Sequence, residues 1–123
     1  MSAPTRRLVL HGLLASAGVA ALRLAAAQAT SSTQTVAITA RRFAYEPNEI
    51  TLRAGVPVVV EIRSLDFLHG MNLPSMGRRL DLIPGRVTRL EFTPGEPGTI
   101  DFLCDNFCGE GHETMSGKFF VVA

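Results

Sequence analysis

The sequence predicts an all-β sandwich. Apolar residues recur at every second position in short runs, and turn-forming residues, among seven prolines and 11 glycines, separate those runs. No window carries a helical period with caps. With 46% hydrophobic and 19% charged residues, the 123-residue chain has enough apolar content for one modest core.

The first 29 residues are set apart from the sandwich. Residues 5–29, TRRLVLHGLLASAGVAALRLAAAQA, have a basic start, an apolar middle and small residues at the end. This is the anatomy of an N-terminal export signal. Thr5-Arg6-Arg7-Leu8-Val9-Leu10 resembles a twin-arginine motif, and Ala27-Gln28-Ala29 fits a small-x-small cleavage site. The expected location is therefore periplasmic or otherwise extracytoplasmic, with a mature chain starting at Thr30. The rival reading keeps residues 8–27 as a membrane anchor. Their length suffices, but His11 and Arg23 lie inside the span. Membrane association is expected only if that segment is retained. Cleavage removes Arg6, Arg7 and Arg23, leaving nine basic against 11 acidic side chains, a mature charge of about −2.

Residues 30–35, TSSTQT, read as a flexible lead-in to a domain over residues 36–123. Val36, Ile38 and Ala40 alternate with polar neighbours as the first strand. Pro47-Asn48 marks a turn, and Ile50, Leu52 and Ala54 form the next strand, ended by Gly55. Val58, Val60 and Ile62 follow, then an extended stretch over residues 69–73 that ends before Pro74. Leu80, Leu82 and Ile83 lead into the Pro84-Gly85 turn. Thr88, Leu90 and Phe92 define a strand, as do Ile100 and Phe102, and residues 118–122 form the last. Blocks of like charge are missing, so no nucleic-acid partner is expected.

Chemistry concentrates in CDNFCGEGHETM, residues 104–115. The loop joins the last two predicted strands and carries Cys104, Cys108, His112 and Met115; His69 lies at an earlier strand end. Four readings compete. A disulfide between Cys104 and Cys108 suits an oxidising compartment but leaves His112 and Met115 unexplained. Zinc on Cys104, Cys108, His112 and His69 has the right ligand count, but a thioether is a poor zinc ligand. A mononuclear copper site needs two His, one Cys and an axial Met, which leaves one cysteine over. Two coppers bridged by both thiolates use every donor. Each ion takes one imidazole, with Met115 and a loop carbonyl as the weak outer ligands.

At this point the sequence resembles a known family. CDNFCGEGHETM is similar to the binuclear CuA motif of cytochrome c oxidase subunit II and nitrous oxide reductase, which have a cupredoxin-like Greek-key fold. Ser64-Leu65-Asp66-Phe67-Leu68-His69-Gly70 resembles the segment bearing the family's first histidine. Asp81-Leu82-Ile83-Pro84-Gly85-Arg86 resembles the turn after it, and residues 43–47 fall where the family has an aromatic cluster. The resemblance implies Cys104 and Cys108 as bridging thiolates and His69 and His112 as terminal imidazoles. It implies Met115 as thioether ligand of one copper and the Asn106 carbonyl as oxygen ligand of the other. It also implies redox partners, a cytochrome c-like donor or an oxidase-type acceptor; the isolated domain is expected to carry electrons without catalysis, either alone or as the electron-entry component of an oxidase-like complex. A periplasmic copper chaperone or a mononuclear cupredoxin is the alternative.

Two departures from the family pattern stand out. Asn106 replaces a glutamate that helps hold magnesium in many oxidases. The chain also has no tryptophan, leaving Phe43 or Tyr45 in the docking position. Asp66 is either a partner of the metal site or a turn residue. Met71 and Met76 suit gap-filling in the core. Arg78, Arg79, Arg86 and Arg89 suit a solvated strand face, with an acidic partner as the rival reading. Gly109, Gly111 and Gly117 are expected to supply loop conformations open to glycine, and Glu110 and Glu113 are expected to be solvated.

Overall fold

The computed structural model describes residues 32–123. The expected export signal lies outside them. Nine strands follow in order: β1 (Gln34–Arg41), β2 (Ala44–Glu46), β3 (Glu49–Arg53), β4 (Val58–Ser64), β5 (His69–Leu73), β6 (Arg78–Leu82), β7 (Val87–Phe92), β8 (Gly98–Leu103) and β9 (Ser116–Val122). Single turns of 3-10 helix occur at Pro74–Met76 and His112–Thr114. Among the described residues no helix is long and apolar enough to cross a membrane.

The strands form two sheets, β2-β1-β4-β7 and β3-β9-β8-β5-β6. Alternation decides which side chains fill the space between them. In β4, Val58, Val60 and Ile62 are buried; in β9, Phe119 and Val121 are, with Lys118 and Phe120 outside. The core also takes Ile38, Leu52, Met71, Leu73, Leu90 and Phe102. Met71 is fully buried and Met76 packs against the same cluster, so both methionines are accounted for by packing.

The structure departs from the sequence pattern in three places. β1 begins at Gln34, so the last two residues of the predicted lead-in are strand. The Gln34 amide bonds the Arg53 and Val56 carbonyls and accepts from the Arg53 N–H, which fastens this end. β3 stops at Arg53, one residue before Ala54. Gly117 has no left-handed backbone; it lies inside β9, where a Cβ would collide with the Phe102 ring and come 2.6 Å from the Asn48 carbonyl oxygen. The need there is for space, not for a turn conformation.

Gly117→Ala is therefore expected to destabilise the domain by about 1–3 kcal/mol, the usual range for overpacking. Gly95→Ala is the control, since a Cβ there meets nothing within 4 Å. Urea unfolding of the two variants beside the parent checks the difference.

Candidate metal centre

Strand direction brings the donors together. β5 and β8 are antiparallel and share the register pair Asn72–Leu103, so the start of β5 meets the end of β8. His69 opens β5 and Cys104 follows β8. β9 is antiparallel to β8, with Ser116 opposite Leu103, and the Cys104 N–H donates to the Met115 carbonyl at 3.0 Å. That bond closes the loop at its base.

One ligand atom from each of His69, Cys104 and Cys108 lies within 4.8 Å of the others, and all three residues are buried. Both cysteines are free thiols in the structure. Met115 is 1% exposed and belongs to the same core cluster. His112 is partly exposed and is not a member of the three-residue group; its Nδ1 lies 3.7 Å from Cys108 Sγ. The Cys104 thiol donates to the Asn106 carbonyl at 3.3 Å, so that oxygen also faces a sulfur.

His69 carries the clearest mark of a ligand. Its Nε2 lies 2.8 Å from Asp66 Oδ1. An ionised carboxylate only accepts, so Nε2–H is the donor and Nδ1 keeps a lone pair. That Nδ1 is the one buried side-chain polar atom without a partner among the described residues. A buried acceptor left bare is costly unless something binds it. Burial and the adjacent Cys104 push the Cys108 thiol up from its ordinary range, against the pull of the Arg42 guanidinium; a bound metal ion would favour the thiolate. Soft sulfurs, two imidazoles and a thioether fit copper.

The loop is held from outside by contacts that the sequence pattern does not show. The Asn106 amide donates to the Leu68 carbonyl at 2.7 Å, and Arg42 Nε donates to the Cys108 carbonyl at 2.7 Å. Arg42 also stacks 4.4 Å above the Phe67 ring, and its N–H donates to Asp66 Oδ2 at 2.9 Å. Arg79 forks onto Asp105. These contacts join residues far apart in sequence and carry no local pattern. Asp66 therefore does both things weighed for it, orienting His69 and receiving a backbone N–H. Burial works against its charge, but the bonds from Arg42 and His69 outweigh that and hold its carboxyl below the usual range.

Of the two aromatic candidates for a docking position, Tyr45 is 1% exposed and unable to meet a partner. Its hydroxyl donates to the Gly70 carbonyl at 2.6 Å, and burial, then the nearby Cys104, raises its phenol well above the ordinary value. Phe43 is half-buried and lies over the loop glycines. A Cβ on Gly109 or Gly111 would come within 3.1 Å of its ring, and both glycines have positive φ, 138° and 102°. Glu110 and Glu113 are exposed, as expected of solvated charges. The exposed aromatic beside the loop is Phe107, 72% accessible, with its ring 5.9 Å from that of His112.

Asp66→Ala is expected to weaken copper binding about 10- to 100-fold, the usual effect of removing the partner that orients a ligating imidazole. Competition titration with a copper chelator measures it. Asp66→Asn is expected to lose less, because its amide oxygen still accepts from Nε2–H.

Two facing sheets with a soft-donor cluster built into one end define a class of small metal-site sandwiches. The chain belongs to the cupredoxin-like domain family, which it matches over residues 13–121. It is 33% identical over 87 residues to cytochrome c oxidase subunit 2 of Thermus thermophilus, covering 71% of this chain and 64% of that one. It is 38% identical over 78 residues to the alternative cytochrome c oxidase subunit 2 of Bradyrhizobium diazoefficiens, covering 63% of this chain and 28% of that one. The matches thus span less than two thirds of these curated relatives. The crystal structure of the periplasmic domain of subunit II of cytochrome oxidase of Bradyrhizobium japonicum shares the fold, with a TM-score of 0.67 and 22% identity over 72% of this chain and 83% of that one.

Proposed function

We propose that the protein is an exported one-electron carrier with a binuclear, CuA-type copper centre. The observation that carries the reading is the bare, buried Nδ1 of His69 beside two free thiols. In this reading Cys104 and Cys108 would supply thiolates to both coppers, His69 and His112 would supply one imidazole to each, and Met115 and the Asn106 carbonyl would be the weaker donors. A bound copper pair would hold one electron, reversibly, across both metals.

The chain's own residues supply the rest of the mechanism. Asp66 holds His69 in one tautomer, and the Cys104–Met115 ladder bond fixes the base of the loop. Strands β5, β8 and β9, neighbours in one sheet, carry the donors at their ends and resist movement of the ligands as the charge changes. Burial of both cysteines and of Met115 excludes water and external nucleophiles from the sulfurs. With every donor supplied by protein, the site suits electron transfer and not bond chemistry. The similarity to oxidase subunits supports a cytochrome c-like donor, an oxidase-type acceptor and an extracytoplasmic location. Export is assigned to the twin-arginine route on the Arg6-Arg7 motif.

Electron paramagnetic resonance of the copper-loaded protein, with a metal-to-protein ratio, tests this. The expected result is two coppers per chain and an unpaired electron coupled equally to both nuclei. One copper per chain with coupling to a single nucleus would sink the binuclear reading. A copper chaperone is the second reading, favoured by the partial exposure of His112. Fast copper transfer to a competing chelator, without any coupled-pair signal, would select it.

A further inference from the structure

We propose that Arg79 is a positioning residue for the copper centre, clamping the Cys104 end of the ligand loop across β5 through Asp105. The identity of the metal rests on the binuclear reading above; the clamp does not.

The β5–β8 ladder stops just short of the ligand loop. β5 and β8 share the single register pair Asn72–Leu103. One step further along, Met71 would face Cys104, and Gly70 would face Asp105. No main-chain pairing continues there, yet this is where the first sulfur must be held. A row of side chains takes over. Arg79 on β6 stands opposite Asn72, and Asp81 opposite Gly70. Arg79 Nε donates to Asp105 Oδ2 at 2.6 Å and Nη2 donates to Asp105 Oδ1 at 3.0 Å, a two-pronged fork. Nη2 also donates to Asp81 Oδ1 at 2.9 Å, which steadies the guanidinium from the far side.

Gly70 makes the crossing possible. A Cβ at Gly70 would collide with Asp105 Oδ1 and come within 3.4 Å of Arg79 Nη2. The fork thus passes over a strand position that has no side chain. Asp105 sits directly between Cys104 and Asn106, whose carbonyl already accepts from the Cys104 thiol. Fixing the Asp105 side chain fixes the two peptides that aim that sulfur and that oxygen.

An ordinary surface ion pair would do little, because solvent and salt screen it. The Arg79 side chain is 50% exposed, so little effect on global stability is expected. The Asp105 side chain is only 21% exposed and the fork fixes its direction, so the consequence is local. Arg79 acts through Asp105 and touches no donor atom among the described contacts, so it is not itself a ligand.

The test uses the full chain with and without copper, as Arg79→Gln, Arg79→Lys, Asp105→Asn and the Arg79→Gln/Asp105→Asn double variant. Copper loss to a bicinchoninate solution is expected to be about 10-fold faster in Arg79→Gln, the low end of effects seen when a ligand's outer partner is removed. Arg79→Lys, a charge without the fork, is expected to recover only part of that. Asp105→Asn should add nothing in the Arg79→Gln background, since one contact cannot be lost twice. In the metal-free chain, amide exchange at residues 105–108 should speed up in Arg79→Gln, while the melting temperature and exchange in β4 stay unchanged. Unchanged loop exchange, or fully additive effects of the two substitutions, would overturn the clamp. A parent protein with one copper per chain would overturn the binuclear reading alone, and the metal-free exchange comparison would still decide the clamp.

Discussion

Cys104→Ser is expected to abolish the coupled two-copper signal outright. A neutral hydroxyl at this position cannot bridge two soft metals, and the remaining Cys108, His112 and His69 can hold at most one ion with a changed ligand set. Stability should fall much less. Cys104 is 3% exposed, and its N–H bond to the Met115 carbonyl is unaffected by the side chain. The buried hydroxyl retains the Asn106 carbonyl as a partner, so a cost of about 1–3 kcal/mol is the upper bound. Electron paramagnetic resonance and urea unfolding on one preparation separate the two effects. A persisting coupled pair in Cys104→Ser would remove that cysteine from the bridge.

Phe102→Ala is expected to be the most damaging core substitution, at about 3–5 kcal/mol. Phe102 is fully buried, with Tyr45 packed edge-on at 5.0 Å and Phe119 tilted at 4.9 Å. It also fills the space that Gly117 leaves open. No neighbour can swing into the void without abandoning its own contacts, so the cavity stays. For a domain of this size the melting temperature should drop by at least about 12 °C. Calorimetry of the metal-free protein measures it free of any contribution from bound copper. A drop of only a few degrees would mean that the aromatic cluster rearranges.

The sequence foreshadowed much of this. Strands with four or more alternating positions, such as Val58–Ser64 and Ser116–Val122, announce both their existence and their inward face. β2 does not, because Ala44–Glu46 is too short to show a period. The donors on the loop were legible because Cys, His and Met are informative residue types. Arg42, Arg79 and Asp105 were not, since an arginine that grips a loop and one that faces water look alike in sequence. Gly117 was misjudged for a related reason. A glycine needed for its backbone angle and a glycine needed for room are the same letter, and only the Phe102 ring tells them apart. Tyr45, one of the two aromatics weighed for a docking position, lies on the short strand β2, and only the fold shows it turned inward to the Gly70 carbonyl.

The parallel pairing of β3 with β9 bears on how the chain acquires its shape during synthesis. Glu49 pairs with Lys118 and Arg53 with Val122, so β3 has no neighbour in its own sheet until residues near 122 have left the ribosome. β9 is an interior strand, flanked by β3 and β8, and the loop from Cys104 to Met115 acquires its second anchor only when β9 docks. Contacts between such distant segments form slowly, on millisecond-to-second timescales typical of β-rich domains. Folding is therefore expected to finish after translation of β9, with the donor loop among the last parts to become ordered. A ribosome-stalled chain ending before Ser116 should remain protease-sensitive throughout, however complete its first sheet.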